Sequence, residues 1–284
     1  MSAEQVKKLV AAMPAPEPNE RGILSKIDRN ATLKAIAELH AGGEEHVRTL
    51  VEMLVEPGTG NDHQARYALH GLALYVCGLG GRLRNEEDRK SFSAALAKTL
   101  DGDRPAAVKE FVLRELQVCG GGEVVAAIGK CLGEAALVEA AAAALVTIGG
   151  DEAATQFRRL QQSANRGQRL IAVQSMGVLR DKQSVSALAK ATDDDDGEIR
   201  TVACWALANI GDPAGIDACL TAAEKAQGYE RIQAGKSRLL FAERLKDSRQ
   251  ADAKRLYEHL RRTSGDESEL YLREIAEREL AGLG

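Results

Sequence analysis

Ile148, Leu179 and Ile210 stand 31 residues apart, and each closes an apolar helical pattern just before a glycine or charged turn: LVTIGGDEA (145–153), MGVLRDKQS (176–184) and LANIGDPAG (207–215). LQVCGGGEV (116–124) joins the series one residue short, with Val118 preceding Ile148 by 30. A fixed period of this size implies units too small to bury their own apolar faces, which must therefore stack and cover one another.

Each period reads as helix, short polar turn, helix, turn. Helices are expected at 123–132 with 137–148, at 152–163 with 168–179, at 184–191 with 198–210, and at 213–226 with 230–245. Less regular pairs lie upstream at 44–55 with 63–77 and at 87–100 with 106–118. The last pair, 249–262 with 267–281, is highly charged, as suits a cap whose outer face meets water. Alternating β-branched runs that would mark strands are nearly absent. The expected fold is all-α, a right-handed α-solenoid of stacked antiparallel helix pairs. Its parts are an N-terminal helix and Pro-rich linker (1–22), divergent helical repeats (23–84), the regular repeats (85–245) and a capping pair (246–284).

Composition removes several function classes. With 38 basic and 42 acidic side chains the net charge is -4, too balanced for a nucleic-acid surface or an anionic membrane. No apolar run approaches the roughly 20 residues that span a bilayer, and the N-terminus lacks a secretory apolar core. Five cysteines, Cys77, Cys119, Cys131, Cys204 and Cys219, are odd in number and widely spaced, which fits a reducing compartment. A cytoplasmic protein is expected.

The stretch DDDDGEIRTVACWALANIGDPAGIDACL (193–220) has an acidic turn, an aliphatic-Arg pair, small residues on the buried face and then Ile-Gly-Asp-Pro. It resembles a HEAT-like repeat of the phycobilisome-lyase type, with weaker copies over roughly residues 85–245. GYERIQAGKSRLLFAERL (228–245) is similar to a segment that follows such repeats in large bacterial HEAT-repeat proteins of unassigned function. The resemblance implies an α-solenoid of the HEAT/armadillo kind used for binding. It implies no single activity, because chromophore-lyase subunits share the repeat with plain scaffolds.

Candidate chemistry is weighed residue by residue. With Gly197 at the sixth position of a calcium loop, Thr192 and Ala203 would occupy the first and twelfth, so the loop lacks its key ligands. Asp195, Asp196 and Glu198 instead sit where carboxylates cap a helix start, and the acidic turn reads as a corner. There is no Cys-x-x-Cys and no His-Glu-x-x-His, so the cysteines read as small core residues. Iron-binding HEAT-repeat hydroxylases use His-Glu pairs, and none of His40, His46, His63, His70 or His259 precedes a glutamate. The glycine stretches GLGGRL (78–83) and CGGGEV (119–124) lack a preceding strand and a Gly-Lys-Ser/Thr, and read as repeat junctions. No cofactor, metal or catalytic residue is expected.

Arg169 and Asp181 are twelve apart, as are Arg200 and Asp212, with Asp151 one repeat earlier and Val138 breaking the series. The spacing predicts charge-assisted bonds from each second helix to the aspartate opening the adjacent repeat, with an anion site as the alternative. His63, Arg66 and His70 share one helix face, fit either for an acidic partner or phosphate or as plain exposed polar surface. Ile199, Ala203, Ala206, Leu207 and Ile210 form a buried stripe that pushes Trp205 to its edge. Equal repeat spacing aligns Trp205 with Gln174, Ala143 and Leu113, and Thr201 with Leu170, Glu139 and Lys109. These two rows are the expected concave binding face, with Trp205 either an interface anchor or packed between repeats. Tyr229, Tyr257 and Tyr271 add possible contacts. The function expected is a non-catalytic scaffold binding a protein or peptide, as a monomer by default. The alternative is an accessory subunit of a chromophore-lyase-like or other cofactor-attaching complex.

Overall fold

A computed structural model describes residues 3–15, 28–78 and 84–283. Most of the Pro-rich linker and of the GLGGRL junction falls outside the described residues. Those described form sixteen α-helices with no strand, and no helix is long and apolar enough to cross a membrane. The chain divides into two compact units, Met1–Ile148 and Gly149–Gly284.

The first unit contains α1 (Ala3–Ala11), α2 (Arg29–Ala41), α3 (Gly43–Glu52), α4 (His63–Val76), α5 (Glu86–Lys98), α6 (Ala106–Cys119), α7 (Val125–Cys131) and α8 (Val138–Ile148). Helices α2, α4, α6 and α8 pack in succession as one layer, with α1, α3, α5 and α7 against them. Helix α2 was not anticipated. It lies outside the 31-residue series, and its buried face is a narrow stripe of Thr32, Ala35, Ile36 and Leu39. The Asp28 side chain starts it by accepting hydrogen bonds from the Asn30 and Ala31 amides.

Arg89, 3% exposed, fastens α5 to the junction after α6. It donates to Glu86 at 2.6 Å, to Glu123 at 2.8 Å and to the Cys119 carbonyl at 2.6 Å. In the CGGGEV stretch a Cβ at Gly121 would come within 2.8 Å of the Arg89 guanidinium, and one at Gly120 would run into the Leu116 carbonyl oxygen. The junction reading of that stretch holds. Burial works to raise the Glu123 carboxyl, but hydrogen bonds from Arg89 and Ser93 outweigh it and hold it at about 2.

The second unit contains α9 (Gly150–Leu160), α10 (Arg166–Val178), α11 (Val185–Ala191), α12 (Gly197–Ile210), α13 (Ile216–Lys225), α14 (Gly228–Leu245), α15 (Gln250–Thr263) and α16 (Leu270–Gly282). Helices α10, α12 and α14 pack side by side, with α9 on α10, α11 on α12 and α13 on both α12 and α14. Helices α15 and α16 close the row against α14. The helix starts expected at 184 and 213 begin as 3-10 turns, Lys182–Ser184 and Pro213–Gly215. Asp181 and Asp212 cap them by accepting from the Gln183 and Ala214 amides, and Pro213 takes a first position where its missing N–H costs nothing.

The buried positions correct the sequence register at one step. Val118 is 42% exposed while Cys119 is 1% exposed, so Cys119 is the residue equivalent to Ile148. The core series therefore runs Val112, Ala141, Ala172, Ala203 and Leu116, Leu145, Met176, Leu207, all buried, with a first step of 29 residues rather than 30. As an aliphatic residue valine matches isoleucine more closely, yet free cysteine is among the most buried residue types.

Gly149, Arg180 and Gly211 are also 31 apart, and all three have left-handed backbones, with φ of 72°, 51° and 71°. This conformation ends a helix cheaply only when there is no Cβ. Arg180→Gly is thus expected to stabilise the chain by about 1 kcal/mol in urea titration. For Glu123, a folded value of about 2 against the ordinary 4.5 means that its stabilisation is fully present above pH 4.5 and lost as pH falls towards 2. Glu123→Gln should therefore lie below the native chain in stability at neutral pH, with the gap closing between those two values as urea midpoints are followed downward in pH.

Candidate interaction surface

Among the described residues, the α10, α12 and α14 row carries an extended surface whose side chains repeat with the fold. On α12 the positions left by the buried stripe are Thr201, Val202, Trp205 and Asn209, all half-buried. Their equivalents 31 residues earlier are Leu170, Ile171, Gln174 and the 45% exposed Val178, and on α14 they are Ile232, Gln233, Lys236 and Leu240. The stripe mixes apolar and neutral polar groups with one cation, the exposed Lys236. Thr201 and Trp205 of α12 and Leu170 and Gln174 of α10 occupy equivalent positions 31 residues apart on these helices. Ile171, Val178, Val202, Asn209 and Leu240 were missed, although stepping one or four residues along each helix from the expected rows would have found them.

Trp205 is held by the neighbouring helix. A Cβ built on Gly177 of α10 would come within 2.8 Å of the Trp205 ring and 2.7 Å of the Ala206 Cβ. The indole therefore occupies space freed by a glycine, and the packed reading of Trp205 prevails over that of a free anchor. Asn209 completes the lateral bonding: its amide donates to the Gly177 carbonyl at 2.9 Å and its oxygen accepts from Arg244 of α14 at 2.9 Å.

In the first unit the expected rows need correction. Leu113 is fully buried, because the 29-residue step puts it at the place of Cys204. Arg114 takes the place equivalent to Trp205, and Glu110 that of Thr201. Lys109 falls in register with Arg169, Arg200 and Arg231, with its ammonium 3.6 Å from Glu134. Glu139 is exposed, as expected.

That cationic series is the real form of the predicted ladder, with different partners. Arg169 and Arg200 do not reach Asp181 and Asp212. Arg169 donates to the carbonyls of Ser163 and Ala164, and Arg200 to those of Asp194 and Asp195, each tying down the turn before its own helix. Arg200 also forks onto Glu230 of α14 at 2.9 and 3.0 Å, and Arg231 onto Glu269 at 2.8 Å twice. Asp181 is taken by Arg158 at 2.7 Å and by the Ser184 hydroxyl. The reason is reach: the acid opening the next second helix is nearer than the one opening the adjacent repeat.

The acidic turn is consumed in the same way. Asp196 caps α12 through the Glu198 and Ile199 amides, and Arg166 of α10 binds it, drawing its carboxyl down to about 2. Lys225 takes Asp193 at 2.8 Å, and Asp194 accepts from the Asp196 amide. The turn is a corner, and also one wall of a cleft of about 430 Å³ whose other sides include Arg200, Thr201, Cys204 and Glu230.

On α4, His63 is exposed, but its two companions are engaged. Arg66 donates to Asp62 at 2.9 Å and to the Val55 carbonyl at 3.1 Å, and lies 4.8 Å from the Phe111 ring centre. His70 Nδ1 is 3.0 Å from Glu115, a carboxyl that burial pushes up and that His70 partly offsets. The shared face exists, yet two of its three members serve internal contacts. Of the tyrosines, Tyr229 and Tyr271 are 71% and 42% exposed, whereas Tyr257 is fully buried and offers no contact.

The lateral row α10–α12–α14 with its 31-residue register is the feature that comparison with known families addresses. Residues 157–237 match the model of HEAT repeats. The HEAT segment runs from Phe157 in α9 to Ser237 in α14 and so spans α10 to α13 in full. Comparison with curated proteins finds no match. Among solved structures, human deoxyhypusine hydroxylase in complex with glycerol is similar at 16% identity, covering 84% of this chain and 96% of that one, with a TM-score of 0.38. The complex of CpcE and CpcF of phycocyanin lyase from Nostoc sp. PCC7120 is similar at 18% identity, covering 99% and 95%, with a TM-score of 0.34. An engineered protein is similar at 17% identity, covering 100% and 97%, with a TM-score of 0.23.

The packing of Trp205 gives a prediction of unusual sign. An exposed helical Gly→Ala change ordinarily stabilises by about 0.5–1 kcal/mol. Gly177→Ala should instead destabilise by about 1–3 kcal/mol through overpacking, with blue-shifted or red-shifted Trp205 fluorescence reporting the displaced ring. An unchanged melting curve and spectrum would contradict the contact.

Proposed function

We propose that the HEAT segment is a non-catalytic binding surface, in a cytoplasmic adaptor or scaffold, for an extended protein segment. The observation that carries this reading is the repeating stripe on α10, α12 and α14, where aliphatics alternate with polar side chains of which Lys236 alone is charged, while Arg166, Arg200 and Arg231 beside it are paired within the fold. A surface of this kind suits a peptide backbone with scattered apolar side chains, since it offers small pockets and hydrogen-bonding amides without a dominant field. A phosphate backbone needs uncompensated cations in a row, and the cations flanking this stripe are held by carboxylates and turn carbonyls. Rigidity favours the same use. Side chains fixed by the helix stack lose little entropy on docking, so modest contacts suffice. The accessory-subunit reading rests on sequence resemblance and gains nothing specific from this geometry.

The test is proximity mapping in a lysate of the source cells. Cross-links from a specific protein partner should fall on α10, α12 and α14, and the double variant Val178→Glu, Val202→Glu should lower capture of that partner about tenfold or more. Val178 is exposed and Val202 half-buried, and circular dichroism should verify that the variant keeps its helix content. Equal capture by native chain and variant, or cross-links confined to other faces, would overturn the proposal.

A further inference from the structure

Cys204 on α12 and Cys219 on α13 meet within one hairpin. The Cys219 sulfur lies 3.8 Å from the Cys204 carbonyl oxygen, which sets the two cysteines side by side across the hairpin. Cys204 is 4% exposed but lines the cleft of about 430 Å³ beside Arg200, Lys225 and Glu230, whereas Cys219, 1% exposed, lines no part of it. One thiol is therefore within reach of a small solute, and the second is reached only through the first.

A buried cation stands nearby. Arg238 of α14 is 4% exposed and has no carboxylate within ion-pair distance among the described residues. Its guanidinium donates to the Ala234 carbonyl at 3.2 Å, to His259 Nδ1 at 2.6 Å and to the Thr263 hydroxyl at 2.9 Å. A guanidinium only donates, so His259 accepts through Nδ1 and is neutral there, leaving the charge of Arg238 uncancelled. Burying such a charge is costly without a counter-ion, and its field acts on both sulfurs. The neighbouring Cys219 draws the Cys204 thiol below its ordinary range against the effect of burial, and Arg238 adds to the pull. Cys219 is pushed well up. Cys119 and Cys131 differ: burial pushes both up, and their sulfurs contact the Glu115 and Ala127 carbonyls of their own helices.

We propose that Cys204 and Cys219 form a peroxide-reactive dithiol, with Cys204 the attacking sulfur, Cys219 the resolving one and Arg238 a positioning residue that stabilises the Cys204 thiolate. The Cys204 thiolate attacks one oxygen of hydrogen peroxide, forming S–O and breaking O–O, and the departing hydroxide takes up the proton Cys204 had released, giving water. Cys219 then attacks the sulfenic sulfur, forming S–S and breaking S–O, and its own proton leaves with the hydroxyl as a second water. Two thiols are oxidised by two electrons and one peroxide is reduced to two waters. The cleft admits a molecule of that size without unfolding the hairpin, and no bulkier oxidant is required.

The test uses the full reduced chain, treated with hydrogen peroxide under native conditions, digested without reduction and mapped by mass spectrometry. The expected main product is a peptide pair joined through Cys204 and Cys219 that dithiothreitol separates. In Cys219→Ser, and equally in Cys219→Ala, dimedone should label Cys204. In Cys204→Ser no label should appear at Cys219. Arg238→Met should slow the cross-link about tenfold and Arg238→Lys should restore much of the rate, with circular dichroism verifying that each variant keeps its helices. A chain that stays folded while peroxide leaves Cys204 unmodified, links Cys77 to Cys119 instead, or labels all five cysteines alike would overturn the proposal.

Discussion

Everything in this chain depends on helices of successive hairpins covering one another's apolar faces with small residues at the closest approach. Ala141, Ala172 and Ala203 recur at 31-residue steps, and the larger Leu145, Met176 and Leu207 recur four residues beyond each. Small side chains at the contact let helix axes come together, and the larger ones fill the groove that results. No hairpin buries enough surface alone, so each contact matters to two neighbours at once. That coupling explains why Gly177 is glycine: in α10 it faces Ala206 of α12, where even one added methyl has no room. It also explains why Trp205, the only tryptophan, does not stand free.

How much of this could be seen in the sequence follows from what periodicity encodes. A repeat fixes which residues share an environment, so the helix pairs, the buried stripe of Ile199, Ala203, Ala206, Leu207 and Ile210, and the corner nature of the acidic turn were all legible. It fixes register only as well as the best-matching residue. Val118 resembled Ile148 more closely than Cys119 did, and that one-residue slip carried Leu113 onto a surface row although it lies in the core. Helix α2 stayed hidden for the opposite reason. It has an apolar stripe of its own but no copy elsewhere in the chain to call attention to it.

Charge pairing was legible only by half. The sequence picked out Arg169 and Arg200 correctly as members of a structural series, because their spacing reflects position on the helix. Their partners follow from side-chain reach in three dimensions, and two acids at similar sequence distance from an arginine can differ widely in space. Asp181 and Asp212 have the local task of capping a 3-10 turn, and that task needs no arginine. The acids that do meet the series, Glu134, Glu230 and Glu269, open later second helices or the turns before them. Lys109, Arg200 and Arg231 thereby bind two successive hairpins, adding directional contacts to an otherwise non-directional apolar stack, whereas Arg169 ties down only the turn before its own helix.

The same logic separates the two places where this chain departs from simple stacking. The stripe of Leu170, Ile171, Val178 and Val202 is left over once the core and the charge series have been satisfied, and surface that a fold does not use internally is free to be used externally. Arg238 is the reverse case: a group the fold has taken in without a matching acid. A hydrocarbon side chain of similar volume would cost less at that position, since a buried cation must be hydrogen-bonded on every side merely to be tolerated. The three neutral acceptors around Arg238 achieve that tolerance and leave its charge intact. A retained buried charge therefore makes physical sense where something nearby acquires a negative charge of its own; Glu269 within its field is already held by Arg231, and the sulfur of Cys204 is a second group there that can do so.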